Sequence, residues 1–544
     1  MEQQISTEVL VVGAGPVGMT SALLMASHGI AVVLIEKNAT TADDPKAISL
    51  DDESLRVYQR AGMVDQVLPV IVPGTGTSYF DADDQLLFHG GAAVPNRFGF
   101  PFKNPFAQPD LEKALRSALE QHPRVDVRFS TELIGLEQDA DGVTARVRTP
   151  HDDGSIRARA VLAADGGRSA VRALLDIPMS GRSHPDVWLV VDCLEDPHAE
   201  RYGMHHGDPR RPYVVVAGLH GRCRYEFYLH PGEGEATENP PFELIERLLS
   251  PLRPITPQQV ERAVSYRFHG LTADRWRDGR VFLLGDAAHM MPPFAGQGLN
   301  SGIRDAANLT WKVAAVLRAE APDALLDTYE HERRAHARAV VRSSERLGRV
   351  VMTTNERLAR FRDRVVRQAL STREGRDFFE GMRYRPSTRI TEGLVLRAER
   401  DALAGTSIGQ PSVFDFDRRA TTPFDDLLGT GWALIGVGLD ADQPWAGVAE
   451  LFPALTPRLV DVPLDDTVRD RPPGVTVTID LDGRLYAEVD AARGRFLLVR
   501  PDRVIAAVLS TDELAHAEQD LGLRLPRDGV PTDHGGARLR ALAR

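Results

Sequence analysis

A strand, a glycine-rich turn, a helix and a second strand follow one another in the first forty residues. Val9–Val12 is a short aliphatic run typical of a buried strand, and it leads directly into the turn Gly13–Gly18. Met19–His28 has helical composition, and a second apolar run, Ala31–Ile35, ends at Glu36. This order predicts a β-α-β unit of an α/β fold.

The spacing of the glycines in this turn favours a dinucleotide site. Gly13 permits a tight turn, Gly15 lets the backbone approach a pyrophosphate, and Gly18 lets helix and strand pack closely. The helix N-terminus offers free N–H groups and a positive dipole end to the phosphates. Glu36 is placed to accept hydrogen bonds from ribose hydroxyls, and its charge disfavours a 2′-phosphate. A purely structural turn is the alternative, and the motif does not choose between FAD and NAD.

Two later segments also place polar groups after apolar runs. One such run precedes Asp165–Ser169, and Arg280–Leu284 precedes Gly285–His289. Asp286, at a predicted strand end, can hold a polyol hydroxyl. Gly296–Asn300 opens a helix-like stretch whose unpaired N–H groups suit the N1/C2=O edge of a flavin. These segments therefore favour FAD.

Composition limits the remaining classes of function. The 544 residues predict about three domains, and the net charge of −12 argues against nucleic acid as a partner. Cys193 and Cys223 are the two cysteines, so neither a disulfide framework nor a Cys-based zinc site is expected. His205 and His206 lack a third ligand of suitable spacing, so no metal is expected. No signal-peptide pattern or long apolar run occurs, which predicts a cytoplasmic protein without membrane contact.

Together the motifs resemble those of the class A flavoprotein aromatic hydroxylases, of the para-hydroxybenzoate hydroxylase type. They occur in order as GAGPVG at 13–18, ADGGRS at 164–169 and GDAAHMMPPFAGQGLNSG at 285–302. Within this family the chain is similar to the 3-(3-hydroxyphenyl)propionate hydroxylases, for example in NPFAQ at 104–108 and YEFYLHPGE at 225–233. The likeness covers most of the chain.

The resemblance implies one tightly bound FAD and a nicotinamide cofactor, NADH or NADPH, that visits transiently. Lys46 stands where many family members carry arginine, and lysine keeps the charge but loses the planar fork. A bidentate grip on the pyrophosphate is therefore in doubt. The implied cofactor contacts are Gly13, Gly15, Gly18, Glu36, Lys46, Gln108, Asp165, Asp286, Gly298, Leu299 and Asn300.

The implied reaction is hydroxylation of a small phenolic ring by NAD(P)H and O₂ through a flavin C4a-hydroperoxide, on a 3-(3-hydroxyphenyl)propionate-like substrate. The protein must exclude water and favour the phenolate, which is the better ring nucleophile. The catalytic candidates are His289 and Pro293 beside the flavin, and Tyr213 and Tyr228 in the predicted pocket wall. Packing is the alternative use of each tyrosine, and a turn-fixing hydrogen bond is the alternative for His289. Arg211 and Arg224 are candidates for binding a substrate carboxylate, but a solvated surface position is the favoured interpretation of both.

Two further hypotheses remain beside this one. A larger polycyclic or polyketide phenol is an alternative substrate with the same chemistry, and pocket volume distinguishes it. A protein that binds FAD without catalysing hydroxylation is the alternative from a different class.

The predicted fold class is α/β, with a Rossmann-like FAD-binding domain interleaved with an antiparallel-sheet substrate domain. The FAD-binding domain is expected at 1–180 and, with long helices, at 268–394, and the sheet domain at 181–267. The resemblance implies a thioredoxin-like C-terminal domain at 395–544. No cysteine follows Cys223, so thiol chemistry is excluded there.

Local patterns add detail to the second half of the chain. A helix-like stretch is predicted at Thr511–Leu521, and β-rich runs are predicted at Trp432–Gly436, Val475–Ile479, Phe496–Val499 and Val504–Val508. Nearer the middle of the chain, six apolar residues have the spacing of one stripe along a helix. Packing in the core is the favoured role of this stripe, and a contact between subunits, such as those of a homodimer, is the alternative. The stripe consists of Leu347, Val350, Val351, Leu358, Phe361 and Val365.

Overall fold

The computed structural model describes residues 4–41, 46–91, 96–439, 445, 447–464, 471 and 473–523. The chain forms two compact units. The first comprises Met1–Asn96, Phe100–Ala306 and Ala337–Pro386, and the second comprises Arg97–Gly99, Ala307–His336 and Ser387–Arg544.

The described strands form two large sheets in the first unit and one in the second. In chain order they are Gln4–Val12 (β1), Val32–Ile35 (β2), Ser49–Leu50 (β3), Gly76–Phe80 (β4), Leu86–Gly90 (β5), Asn104–Pro105 (β6), Val125–Arg128 (β7), Glu132–Gln138 (β8), Val143–Arg148 (β9), Asp153–Ala163 (β10), Met179–Cys193 (β11), Tyr202–His206 (β12), Tyr213–Ala217 (β13), Cys223–Leu229 (β14), Val260–Ala273 (β15), Arg277–Asp278 (β16), Val281–Leu283 (β17), His289–Met290 (β18), Ser412–Asp415 (β19), Ala420–Pro423 (β20), Ala433–Val437 (β21), Arg458–Val462 (β22), Val475–Asp480 (β23), Arg495–Val499 (β24) and Ile505–Leu509 (β25).

The α-helices range from one turn to 25 residues. They are Pro16–Ser27 (α1), Asp52–Arg60 (α2), Val64–Val67 (α3), Gln108–Gln121 (α4), Ala170–Leu174 (α5), Phe242–Leu249 (α6), Gly298–Leu317 (α7), Asp327–Val351 (α8), Glu356–Leu370 (α9), Arg373–Phe379 (α10), Phe424–Leu428 (α11), Arg484–Val489 (α12) and Ala517–Asp520 (α13).

The first sheet contains the predicted β-α-β unit. Its strand order is β16-β17-β10-β1-β2-β7, with the β8–β9 hairpin attached through β9 to β10. β1 runs parallel to β10 and β2, and β10 runs parallel to β17. Val9–Val12 and Val32–Ile35 are buried, as expected for strands covered on both faces. Gly29 follows α1 with φ of +77°, a conformation that glycine adopts readily. The predicted unit is therefore confirmed.

The second sheet has the order β18-β15-β11-β14-β13-β12-β4-β5 and is antiparallel except for the parallel pair β12–β4. Its strands β11, β13 and β14 confirm the antiparallel pairing predicted between the second and third motifs. Tyr225 and Phe227 point to one face, where they pack in a cluster with α6. Arg224 and Glu226 alternate with them and therefore point to the other face. β4 and β5 extend this sheet from a part of the chain where no strand was predicted.

The predicted single stripe on a long helix is wrong. The chain leaves the helical path after Val351, and α9 begins only at Glu356, so the apolar positions do not share one face. Leu347 and Val351 pack against an aromatic cluster around Tyr79 and Phe88. Four of the predicted core positions are instead 55%, 58%, 62% and 44% exposed, namely Val350, Leu358, Phe361 and Val365.

The sheet of the second unit has the order β20-β19-β23-β22-β21-β24-β25. The central pairs β21–β22 and β22–β23 are parallel, and the outer pairs are antiparallel. All four predicted β-rich runs form strands, and the predicted helix is a 3₁₀ turn, Thr511–His516, followed by α13. β20 was not predicted because it is short, largely exposed and ends in Pro423, as is typical of an edge strand.

A group of charged side chains is buried inside the second unit. The Glu332 carboxylate lies 2.7 Å from Lys312 Nζ and 2.8 Å from Arg500 Nη2, and all three side chains are inaccessible to solvent. Asn308 donates a further hydrogen bond to Glu332, and Asp502 pairs with Arg500. Although burial opposes ionisation of Glu332, the two cations outweigh it and hold its pKa well below the ordinary range. Removing one member leaves an uncompensated buried charge.

Glu332→Gln should therefore destabilise the protein by about 3–5 kcal/mol at neutral pH. The pKa of Glu332 is lowered by folding, so its contribution is complete above the unfolded-state pKa of about 4.3 and is lost as the pH falls below it. Unfolding followed by circular dichroism at several pH values measures this difference. Glu356→Gln is the matched control, since the Glu356–Arg360 pair is exposed. Equal stability of both variants would contradict the prediction.

Candidate active site

A cavity of about 470 Å³ lies in the first unit, between the two sheets. On one side it is bounded by the segments that follow β1, β10 and β17, which are the three predicted motifs. On the other side it is bounded by the face of the second sheet that carries Val214, Val216 and Glu226. The turn from Pro293 to Leu299 closes a third side. The cavity therefore gathers residues that are up to 284 positions apart along the chain, from Gly15 to Leu299.

The three glycines of the first turn have distinct environments. Gly13 has φ of +101°, and a Cβ there would lie 2.5 Å from the carbonyl oxygen of Ala164. A Cβ on Gly18 would clash with the carbonyl oxygen of Gly13. A Cβ on Gly15 would meet no atom within 4 Å, because Gly15 faces the cavity. Gly13 and Gly18 thus allow close packing, whereas Gly15 leaves open space in front of the backbone.

The N-terminus of α1 also faces this open space. Gly15 is the N-cap residue, no side chain caps the helix, and Pro16 occupies the first turn. Glu36 follows β2 and folds back onto the glycine turn, where Oε2 accepts a hydrogen bond from Ala14 N at 3.0 Å. Its other oxygen, Oε1, accepts from the backbone and side chain of Asn38. The acid is therefore fixed beside the turn.

Of four other predicted cofactor residues, three line this part of the cavity and one does not. Lys46 and Asp286 line it and are both exposed to it. Although Asp286 is open to the cavity, the surrounding protein shields it from bulk water. This desolvation raises the pKa of Asp286, and the charges of His289 and Lys46 oppose the shift. Gln108 also lines the cavity, and its Oε1 accepts from Ala47 N at 2.8 Å. Asp165 is not a lining residue, and its Oδ2 instead accepts from Val171 N at 3.0 Å, which fixes the turn before α5.

The turn before α7 brings Pro293, Gly298 and Leu299 to the cavity. Asn300 is fully buried behind them, so it does not line the cavity. Its Oδ1 accepts hydrogen bonds from Asp51 N and Ser54 Oγ at 3.0 and 2.7 Å. Its Nδ2 donates to the carbonyl oxygens of residues 49 and 296 at 3.0 and 2.7 Å. Asn300 therefore ties the first turn of α7 to the segment at β3.

His289 lies outside the cavity and is fully buried. Its Nε2 lies 2.7 Å from Asp305 Oδ2, which also accepts a hydrogen bond from Gly285 N at 3.1 Å. Of the two uses considered for this histidine, the geometry favours the hydrogen bond that fixes the turn over proton transfer to a ligand.

Neither Tyr213 nor Tyr228 lines the cavity. Tyr213 alternates with Val214 in β13, so it points to the opposite face, where it stacks on His206 with ring centroids 4.1 Å apart. Tyr228 shares a face with Glu226 but packs edge-on against Trp188, 5.8 Å away, outside the cavity lining. Packing is the use that the structure gives to both tyrosines.

Several lining residues were missed by sequence reasoning or were assigned to the surface. Arg224 is buried and forms two hydrogen bonds with Asp192 at 2.7 and 3.0 Å, so a solvated position is wrong. Glu226 lies two residues further along the same strand, and burial raises its pKa. Two polar residues at alternate positions of a buried strand are a signal that could have been recognised. Lys103 and Tyr266, which also line the cavity, lie in segments without a motif.

The described residues form neither a membrane-spanning helix nor a metal site. No helix there is long and apolar enough to cross a lipid bilayer. No group of three or more histidine, cysteine, aspartate or glutamate side chains there is arranged to hold a metal ion.

Comparison with solved structures finds the same fold over nearly the whole chain. A flavin-dependent monooxygenase, PieE, in complex with FAD and substrate, superposes with a TM-score of 0.76 at 21% identity, covering 95% of this chain and 98% of PieE. Aklavinone-11 hydroxylase with FAD and aklavinone gives a TM-score of 0.74 at 24% identity, covering 96% and 99% of the two chains.

Sequence comparison identifies relatives of full length. A 3-(3-hydroxy-phenyl)propionate/3-hydroxycinnamic acid hydroxylase from Mycobacterium sp. (strain KMS) is 40% identical, covering 98% of this chain and 94% of that protein. A protein of the same name from Paraburkholderia xenovorans (strain LB400) is 35% identical, covering 96% and 92%. The family model of the FAD binding domain matches residues 6–344, and that of the HcaD C-terminal domain matches residues 405–523. The chain therefore belongs to the class A FAD-dependent aromatic hydroxylases.

Proposed function

We propose that the protein hydroxylates the ring of 3-(3-hydroxyphenyl)propionate or a closely similar phenolic acid, with O₂ and NADH or NADPH as co-substrates. The observation that carries this proposal is the 40% identity to hydroxylases of that name over 98% of the chain. FAD, when bound, takes up electrons from the nicotinamide cofactor and transfers one oxygen atom of O₂ to the ring. The protein must bind both ligands, orient them and exclude water.

The size of the cavity supports a small substrate over a polycyclic one. Its volume of about 470 Å³ lies in the lower half of the range of ligand sites, and the flavin ring must share it. Val214, Val216, Phe268 and Phe294 provide apolar walls on the side of the second sheet. Such walls exclude water from the reacting ring.

The glycine turn fits the pyrophosphate of FAD. The open space in front of Gly15 leaves room for a phosphate against the backbone, and the uncapped N-terminus of α1 supplies N–H donors and a positive dipole end. Glu36 is fixed beside this turn, within reach of an adenosine ribose. Lys46, exposed to the cavity, supplies a positive charge near the phosphates.

For the remainder of FAD we assign Asp286 and Gln108 to the ribityl and pyrophosphate region. Pro293, Gly298 and Leu299 would lie against the flavin ring, since they form the wall that the start of α7 contributes. Asn300 and Asp165 act from behind that surface by fixing the turns that carry it.

The proposed domains are those expected from the motifs, with the FAD-binding domain at 1–180 and 268–394 and the sheet domain at 181–267. We assign a thioredoxin-like arrangement to 395–544, supported by its central parallel strands β21, β22 and β23. The exposed apolar residues of α9 support a homodimer contact. Cys193 and Cys223 are free and buried, which supports a cytoplasmic location.

A panel of phenols tests the proposed substrate. The purified protein should oxidise NADH or NADPH faster when 3-(3-hydroxyphenyl)propionate is added, and a hydroxylated product should form in step. 3-Phenylpropionate is the matched control, because it lacks the hydroxyl that makes the ring nucleophilic. A preference for polycyclic phenols would support the alternative substrate class. Yellow protein with no response to any phenol would support an FAD-binding protein without hydroxylase activity.

Gly15→Ala and Gly18→Ala should separate cofactor binding from folding. The Cβ at position 15 meets no protein atom, so this variant should fold normally but bind FAD about tenfold more weakly or worse. The Cβ at position 18 clashes with Gly13, so that variant should lose thermal stability even without FAD. Far-ultraviolet circular dichroism of the apoprotein and fluorescence titration with FAD measure the two effects. Unchanged FAD affinity of Gly15→Ala would contradict the assignment.

Asp286→Ala should lose FAD occupancy, since the side chain faces the cavity where a ribityl hydroxyl is expected. The ratio of flavin to protein absorbance in the purified variant measures this occupancy. Glu238→Ala, which changes an exposed loop carboxylate, is the control and should retain full occupancy. Full occupancy of Asp286→Ala would show that the ribityl contact is elsewhere.

A further inference from the structure

Lys103 is a basic side chain in the part of the cavity next to the second sheet. It lines the cavity together with His205, Glu226 and Tyr266. Its Nζ donates a hydrogen bond to Thr77 Oγ1 at 2.5 Å, and it forms no ion pair with any described carboxylate. The ammonium thus keeps N–H groups, or a lone pair when neutral, for a ligand in the cavity.

The side chain of Lys103 passes close to the turn assigned to the flavin. Its Cε lies 3.8 Å from the position that a Cβ on Gly296 would occupy. Gly296 belongs to the same turn as Pro293 and Gly298, which face the cavity. A substrate ring between this turn and the second sheet would therefore lie within reach of Nζ.

The backbone holds Lys103 in a conformation that non-glycine residues seldom adopt. Its φ is +55°, in the left-handed region. The neighbouring Asn104 fixes the segment, since it accepts from Gly74 N at 2.9 Å and donates to the carbonyl oxygens of residues 50 and 101. Strained backbone that is fixed in this way often positions a functional side chain.

The groups around Nζ favour the neutral amine. Burial is the largest cause, and the charge of Arg385 adds to it, while Glu226 acts in the opposite sense; together they lower the pKa of Lys103 to about 7. Burial and the charge of Lys103 also hold the pKa of His205 well below its usual range, so His205 is neutral. A neutral amine is therefore well populated at neutral pH.

We infer that Lys103 accepts the proton of the substrate phenol, an inference that rests on the proposed function. In this step the phenol O–H bond breaks, an N–H bond forms on Nζ, and the electron pair of the O–H bond stays on the oxygen. The resulting phenolate remains paired with the Lys103 ammonium. The negative charge enriches the ring in electrons, which is what transfer of an oxygen atom to it requires.

Other candidates for this step are less suitable. Arg224 is committed to Asp192 and stays protonated. Burial raises the pKa of Tyr266 far above the neutral range, so it does not ionise to act as a base. Lys46 is the residue that we assign to the phosphates of FAD, so it is not the candidate for the phenol.

The test compares Lys103→Met and Lys103→Arg with the wild type and with Lys113→Met, a control at an exposed position of α4. Arginine keeps the charge but does not accept a proton. Both variants at 103 should retain FAD and lose kcat with 3-(3-hydroxyphenyl)propionate by about a hundredfold or more. Lys103→Arg carries the test if Lys103→Met fails to fold.

The pH profile of product formation supplies the decisive readout. Since the amine must be neutral, the wild-type rate should fall as the pH drops through about 7. In Lys103→Met this limb should disappear, and the rate should instead rise toward the phenol's own pKa of about 10. A ring-fluorinated substrate, whose phenol is more acidic, should restore part of the lost rate.

Three results would overturn the inference while leaving the proposed function intact. The first is a wild-type pH profile and kcat in Lys103→Met. The second is full activity of Lys103→Arg, which would assign a purely electrostatic role. The third is a rise in KM for the phenolic acid but not for 3-methylphenol, which would place Lys103 on the carboxylate. A wild type that hydroxylates no phenol would instead overturn the proposed function.

Discussion

The parallel pairing of three strands determines where everything else in the first unit must lie. Val12 pairs in register with Ala163, and Ala163 pairs with Leu283, so β1, β10 and β17 end at one edge of the sheet. The chain leaves each strand there through a turn that carries one of the motifs. Carboxyl ends of parallel strands are where ligands bind in open α/β sheets, because the helices and loops that follow leave a crevice there.

The second sheet covers one side of this crevice and so makes it a cavity. In β13 and β14, alternate residues face opposite sides, so a difference of one position decides whether a side chain meets the ligand or the core. Val214 and Glu226 face the cavity, whereas Tyr213 and Phe227 pack on the other side. The chemistry on the substrate side is therefore set by strand register as much as by residue type.

The parts of the site that sequence reasoning predicted well are those in which backbone geometry and residue type are linked locally. Gly13 and Gly18 are needed because neighbouring carbonyl oxygens leave no room for a Cβ, and such constraints appear as a fixed spacing. The positions of Tyr213, Tyr228 and His289 were harder to predict. Whether these side chains face the cavity depends on pairing with distant strands or, for His289, on Asp305.

Other features could not be predicted from local patterns. The prediction of one apolar stripe through α8 and α9 was wrong because the helix is broken between Val351 and Glu356. Such a break changes which face is exposed, and the apolar spacing alone does not reveal the break. Lys103 lies in a loop, and its surroundings come from strands and turns that are far apart in the sequence. The mixed α/β fold was predictable, but the fold class does not indicate which polar residues share a cavity.

The buried charges of the second unit have a consequence for synthesis of the chain. Glu332 and Arg500 are 168 positions apart, and each needs the other to be buried without penalty. When a ribosome has produced only the first 400 or so residues, Glu332 and Lys312 have emerged without Arg500 and without the sheet that covers them. The native packing of this unit must therefore wait until Arg500 has emerged, while the strands of the first unit have already done so.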